Sequence, residues 1–381
     1  MNEEIQRQEY PQMKKILKKI RTVVPIWSMI LFLLFLTAVI FQFLFPKSAA
    51  LANGIHHTVG AWLRAGLAAL TNPFPISMAE FLLFTSPVLV GCICFAMIRR
   101  LRRSLTEGIR YFVSFLSLIS LVFTLVVFGY NAGYYSDGVE KKVDFQRHDL
   151  SSEELYRTAL VLIDGIKEAT PDVYYPQNTY SAMPFSYREM NEKLNEAYDT
   201  LCDRYPAFQR MYSNTKPVIL SEPWTYTHIS GVYTFFTGEA NVNTNYPDFI
   251  VVSSAAHEMA HQRGINKEDE ANFVAFLVCS LSDDPYIRYC GYADVLNDVM
   301  SKLASANPEL YNAARAEMPQ SLKDEYTAYS VFFDQYRENV AASVSTAVNN
   351  AYITSHNQPA GVKSYGLVVD LVAAYLLGSE K

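Results

Sequence analysis

His257-Glu258-Met259-Ala260-His261 is the stretch of this chain whose residue types and spacing could carry chemistry. Two histidines four apart on a helix project from the same face, about one turn apart. Both imidazoles can then reach one tetrahedral zinc ion. The glutamate after the first histidine can reach a water on that metal and act as its general base. The chain holds seven histidines in 381 residues, so composition alone rarely produces the pattern. The small residues Ser253-Ser254-Ala255-Ala256 precede it and would let another surface approach closely. Gly264 comes three residues later and is placed to end the helix.

A catalytic zinc site needs a third protein ligand and one open position. Glu268, Asp269 and Glu270 are the candidates. Beyond them Ala271, Val274, Ala275 and Val278 recur at helical spacing, which predicts a second helix folded back after Gly264. Glu268 and Asn272 are four apart and share a face, whereas Glu270 lies roughly 200° round the wheel. Glu268 is therefore the favoured ligand and Glu270 the alternative. With Glu268 as ligand, Asn272 could orient the histidine rings. Lys267 stands where a metzincin would place its third histidine, which argues against that subclass.

The elements that position these residues follow from composition. Hydrophobic residues make up 50% and charged ones 18%, where a soluble domain carries about 25% charge. The excess lies in the first third. Residues 23–45 hold no charge and are long enough to cross a hydrocarbon core. Further apolar runs cover residues 81–98 and about 111–130. Lys14, Lys15, Lys18, Lys19 and Arg21 precede the first run, and Arg99, Arg100, Arg102, Arg103 and Arg110 separate the second from the third. Basic residues stay inside. This predicts a cytoplasmic N-terminus (residues 1–22), an anchor of three transmembrane helices (23–130) and an extracytoplasmic domain (131–381) in a cell membrane. The net charge of −6 argues against a nucleic-acid partner. The expected partners are a lipid bilayer and a peptide or protein substrate; nothing marks an oligomeric state.

In the domain, Ser151-x-x-Glu154 and Ser186-x-x-Glu189 have the capping-box pattern, each opening an amphipathic helix. Residues 171–184 read as a loop, 216–221 as a short strand and 226–243 as strands or a hairpin. From about residue 249 the pattern is helical. The fold class is α+β, helix-dominated, with a small sheet. Cys92 and Cys94 sit in an apolar run as small hydrophobes. Cys202, Cys279 and Cys290 form no disulfide framework; a Cys279–Cys290 bond and three free thiols both fit.

The set His257-Glu258-x-x-His261 and Glu268-x-x-Ala271-Asn272 resembles the gluzincin-type metallopeptidases. These place a glutamate ligand on a following helix, often with Ala-Asp or Ala-Asn three and four residues later. Here only six residues separate His261 from Glu268, a much shorter insert than many gluzincins have. More closely, the chain resembles a bacterial membrane-protein family known only as a domain of unknown function and grouped with zinc metallopeptidases by fold. The resemblance rests on residues 236–243 (FTGEANVN), 257–273 (HEMAHQRGINKEDEANF), Asp284-Pro285-x-x-Arg288-Tyr289-x-Gly291-Tyr292 and 361–366 (GVKSYG). It implies a zincin-like domain after three transmembrane helices, with zinc as cofactor.

Gluzincins often stabilise the oxyanion with a late His or Tyr, which makes Tyr365 a catalytic candidate. Glu239 and Asn243 lie in an extended segment where such enzymes use an edge strand to bind substrate backbone. Arg288 reads as half of a structural ion pair, and His148 and His228 as surface or satisfied histidines. The expected function is a zinc peptidase with Glu258 as general base. The alternative is a non-catalytic sensor or binding domain. A transport role finds little support in spans without charges.

Overall fold

Long uncharged apolar runs form helices wherever no water can satisfy the backbone. The computed structural model describes residues 20–176, 180–337, 339–355 and 366–378. Among these, three helices are long and apolar enough to cross a membrane. The first, α1 (Ile26–Leu44), leads into α2 (Ala49–Ile55), a π turn at His56–Gly60, and α3 (Ala61–Thr71). The second and third are α4 (Met78–Arg103) and α5 (Leu105–Gly129). Both start earlier than the apolar runs because Ser77 and Ser104 cap them, accepting from the Glu80 and Glu107 N–H groups. Apolar composition marks a hydrocarbon span; the caps set the helix ends.

The connection between α1 and α4 is more than a loop. Ala52, His56, Gly60, Arg64 and Ala68 recur every four residues and are buried, while Val59, Trp62 and Leu70 face outward. The buried stripe packs on the domain that begins at residue 131. Gly238 and Gly264 both have positive φ, at 69° and 90°. A Cβ at Gly238 would strike the α3 backbone at Ala68, and one at Gly264 would strike Arg64 and His56. Within residues 23–130, the inter-span segment is thus a floor for the domain as well as a link between spans.

The sheet has three strands, β1 (Thr215–Pro217), β2 (Gly231–Thr234) and β3 (Glu239–Val242), in the order β1-β3-β2. β1 runs parallel to β3 and β2 antiparallel to it. The expected strand at 216–221 ends early because the Glu80 carboxylate takes the N–H groups of Ile219 and Leu220, at 2.8 and 2.9 Å. The hairpin expected in 226–243 is β2–β3. The longer helices after α5 are α6 (Ser152–Ala169), α7 (Tyr187–Arg204), α8 (Asp248–Gln262), α9 (Glu268–Ser280), α10 (Pro285–Ala306), α11 (Pro308–Glu317), α12 (Gln320–Asp334), α13 (Val340–Ser355) and α14 (Val368–Gly378). Both capping boxes form, on α6 and α7.

α8 lies at the centre, buried along nearly its whole length. Its small residues make this possible: the Tyr198 hydroxyl of α7 reaches the Ala256 carbonyl at 2.7 Å. α9 and α10 cover its other sides. Glu325 of α12 is buried and accepts from Ser181 and the Tyr289 hydroxyl, tying α12 to α10. Arg288 donates to the Ser282 carbonyl at 2.8 Å and joins no ion pair among the described residues. All five cysteines are free, Cys279 and Cys290 within the core.

Two carboxylates clamp the sheet to the second span. Glu239 of β3 accepts from the Met78 and Ala79 N–H groups, at 3.0 and 2.9 Å. These are donors at a helix N-terminus, which lack intrahelical partners. Glu80 returns the contact to the residues after β1. Glu239→Ala is expected to strand two part-buried donors and cost about 3 kcal/mol, lowering the full-length protein's Tm by about 5 °C. Glu239→Gln should cost less, because one acceptor survives. Thermal unfolding in detergent checks both.

Candidate metal centre

The last turn of α8 carries His257 and His261 with ring centroids 4.6 Å apart. The helix then closes: the Ile265 N–H reaches back to the Ala260 carbonyl at 3.0 Å, across Gly264 in the left-handed region. Ile265 also orients a ligand. Its carbonyl accepts from His261 Nδ1 at 2.6 Å, so Nε2 is the nitrogen left facing the site. Asn266 donates to the Tyr130 carbonyl at 3.1 Å, pinning the turn to the end of the third span. Lys267 precedes α9, and Glu268 is the first residue of that helix.

Glu268 Oε2 lies 3.3 Å from His257 Nε2 and 3.4 Å from His261 Nε2. One donor atom from each residue falls within 4.8 Å of the others. Burial by itself would raise the Glu268 carboxyl, but the two facing imidazoles outweigh it and hold it well below the usual range. Burial likewise lowers His261, and the Glu268 carboxylate reverses this, pushing the imidazole up to about 9. The other acids face elsewhere. Glu270 pairs with Lys267 at 2.7 Å and Asp269 with Arg147 at 2.9 Å. Of the two alternatives for a third ligand, Glu268 is brought to the histidines and Glu270 is not.

The donor set suits zinc: two imidazole nitrogens and one carboxylate oxygen, converging. Glu258 Oε2 supports the fit, since it is buried with no hydrogen-bond partner among the described residues. Burial raises the Glu258 carboxyl, against the pull of both histidines and of the Tyr233 N–H. Gly231 makes space for it, because a Cβ there would lie 2.6 Å from Glu258 Oε1.

Other expected residues fall differently. Asn272 is half-buried and makes no hydrogen bond to either ring; Ile265 supplies the orienting contact. Tyr365 lies outside the described residues. The segment with Glu239 and Asn243 is not an edge strand, since β3 is paired on both sides. Glu239 clamps α4, and Asn243 donates to Thr225 and the Ile229 carbonyl. The sheet edges are β1, whose Thr215 N–H and carbonyl are taken by Asn191 at 2.7 and 3.4 Å, and β2. His228 bonds the Tyr336 carbonyl and His148 pairs with Glu154, so both are satisfied.

Two groups at the site carry no signal in the sequence. Asp294 of α10 lies within charge range of His257: burial raises its carboxyl, while Ser253 and His257 pull it down. Asp298, one turn on, is pushed up to about 7 by burial and then by Asp294. The four-residue spacing of the pair is visible in the sequence, but not that it faces α8. The second group is a phenol cluster beside Glu268. The Tyr134 hydroxyl donates to that of Tyr130 at 3.3 Å. Tyr352 of α13 joins them, raised by burial and, more weakly, by Glu268.

The chain belongs to the family described as a protein of unknown function (DUF3810), whose model matches residues 56–373. The match starts in the inter-span turn and takes in α4, α5 and the whole His–His–Glu cluster. No curated protein and no solved structure matched the chain.

Metal content tests the geometry. Full-length protein is expected to hold about one zinc per chain. His261→Ala and Glu268→Ala should each weaken it by more than about 100-fold, since outer contacts alone contribute 10- to 100-fold. Glu270→Ala should keep it. Elemental analysis after dialysis against a chelator distinguishes these outcomes.

Proposed function

We propose that the protein is a membrane-anchored zinc peptidase of zincin-like fold, with His257, His261 and Glu268 holding the metal and Glu258 as general base. The observation that carries this reading is the Glu258 carboxylate. Leaving a buried polar atom without a partner costs about 1–3 kcal/mol. Glu258 Oε2 is in that position among the described residues, directly beside three converging metal donors. A purely structural metal site, or a sensor domain, has no use for such a group.

Zinc bound there would supply Lewis acidity, acidifying a water and polarising a carbonyl. The chain's own groups do the remainder. Glu258 takes a proton from the attacking water, whose oxygen bonds to the carbonyl carbon. It returns that proton to the leaving nitrogen as the C–N bond breaks. Burial raises its carboxyl, which suits a group that must both accept and release a proton.

β2 supports a peptide substrate. Ser230 and Thr234 use their carbonyls on Asn243 and Gly238, both at 2.8 Å. By the alternation of an antiparallel ladder, Gly231 turns its backbone groups to the outer edge, beside the Tyr233 N–H that faces Glu258. An extended chain pairing there would pass over Glu258. The distribution of arginines supports a domain outside the cytoplasm: Arg99, Arg100, Arg102 and Arg103 end α4, and Arg110 lies in the first turns of α5.

Glu258→Gln is expected to keep zinc and stability but lose hydrolysis of an unstructured protein such as casein by about 10²–10⁴-fold. Gly231→Ala should also keep zinc and lose activity, because its methyl displaces the Glu258 carboxylate. A Glu258→Gln variant with an undiminished rate of cleavage would rule the mechanism out.

A further inference from the structure

We infer that the site takes polypeptides as they leave the bilayer: its substrate is the extended juxtamembrane segment of a membrane-anchored chain, paired along the outer edge of β2 at Gly231 and Val232. This rests on the peptidase reading above and names its substrate class.

Three features of the structure converge on it. The first is where β2 begins and ends. Gly231 sits against Glu258 at the site. At the other end Tyr233 and Phe235 put their rings 5.8 and 6.0 Å from that of Tyr130, the residue that ends the third span. The hairpin tip continues onto the inter-span helix, where Gly238 packs on Leu67 and Ala68. The outer edge of β2 therefore runs from the span's exit to Glu258, with Gly231 and Val232 as its accessible residues. Four residues of strand cover only about 13 Å.

The second is the outward surface below the site. α3 buries its polar side chain Arg64 and exposes apolar ones, with Trp62 82% exposed. Trp and apolar side chains on the outer face of a helix between two spans suit the bilayer interface. Gly264, three residues after His261, packs directly on that helix. Packed helices lie about 8–10 Å apart, so one helix layer separates the metal ligands from the interface.

The third is the rim. Phe236 at the hairpin tip is 45% exposed, and Ile219 and Leu220, tied by Glu80 to the start of the second span, are exposed as well. Exposed apolar side chains at the level of the span ends suit contact with lipid. A fully soluble substrate gains nothing from a site so placed. A chain emerging from the bilayer arrives at the β2 edge within a few residues of its own span.

The test uses full-length zinc-loaded protein in phosphatidylglycerol–phosphatidylcholine liposomes with three defined probes. All carry the same pool of randomised 12-residue segments. In one the segment directly follows a single transmembrane helix. In the second a 30-residue Gly/Ser spacer, spanning about 30 Å, separates the two. The third is the free peptide pool. Mass spectrometry reads the cleavage sites. The first probe is expected to be cut at least about tenfold faster than the second, which is equally concentrated at the membrane, because only its segment reaches β2. Equal rates for the first two probes would overturn the inference while leaving the peptidase reading intact. Cleavage of the free pool as fast as the first probe would do the same. No cleavage of any pool by zinc-loaded protein would overturn both.

Discussion

Everything at the centre depends on one tight reversal, the six residues between His261 and Glu268. The chain must leave α8, turn back and present a carboxylate to two imidazoles it has just passed. Gly264 makes the turn by adopting a φ of 90°. Ile265 uses both backbone groups, its N–H to close the helix and its carbonyl to fix the His261 ring. Asn266 ties the turn to Tyr130. Glu268 then reaches the site because it opens the next helix, where the backbone is held by α9 packing. A long insert is unnecessary when the turn itself is this constrained.

The constraint extends into the membrane segment. The reversal rests on His56 and Arg64, and Arg64 is a buried cation without a carboxylate partner among the described residues. It is held by the carbonyls of His56 and Gly129 and by Gln209. Burial lowers its pKa to about 10, so it still carries its charge at neutral pH. Gly129 closes the third span, so the guanidinium lies at the negative end of that helix. The long apolar helices, the floor helix and the turn between α8 and α9 form one connected piece. Removing residues before 131 would expose the underside of the site.

Much of this is legible in the sequence because it is local. The two histidines and Glu258 depend only on helical spacing. Both capping boxes are three-residue relations, and the spans are read from composition. Helical phase favours Glu268 over Glu270 through a face shared with Asn272, and the structure gives a different reason. Glu268 is placed by the turn, and Glu270 is occupied by Lys267. The pairing of β1 with β3 joins residues far apart in sequence, so the segment holding Glu239 reads as an edge and is central. The floor helix is hidden for the same reason. Arg64 carries no motif, and only the fold brings Gly264 onto it. Asp294 carries no motif to announce that it faces α8.

The central claim is that His257, His261 and Glu268 together bind one zinc ion with a position left open. X-ray absorption at the zinc edge, on full-length protein purified without added metal, addresses it directly. The account predicts two imidazole nitrogens at about 2.0–2.1 Å, carboxylate oxygen and one further light ligand, with no sulfur. Glu268→Ala should change that set of ligands. A shell with sulfur, one with a single imidazole, or a protein that stays free of zinc when zinc is supplied would contradict it.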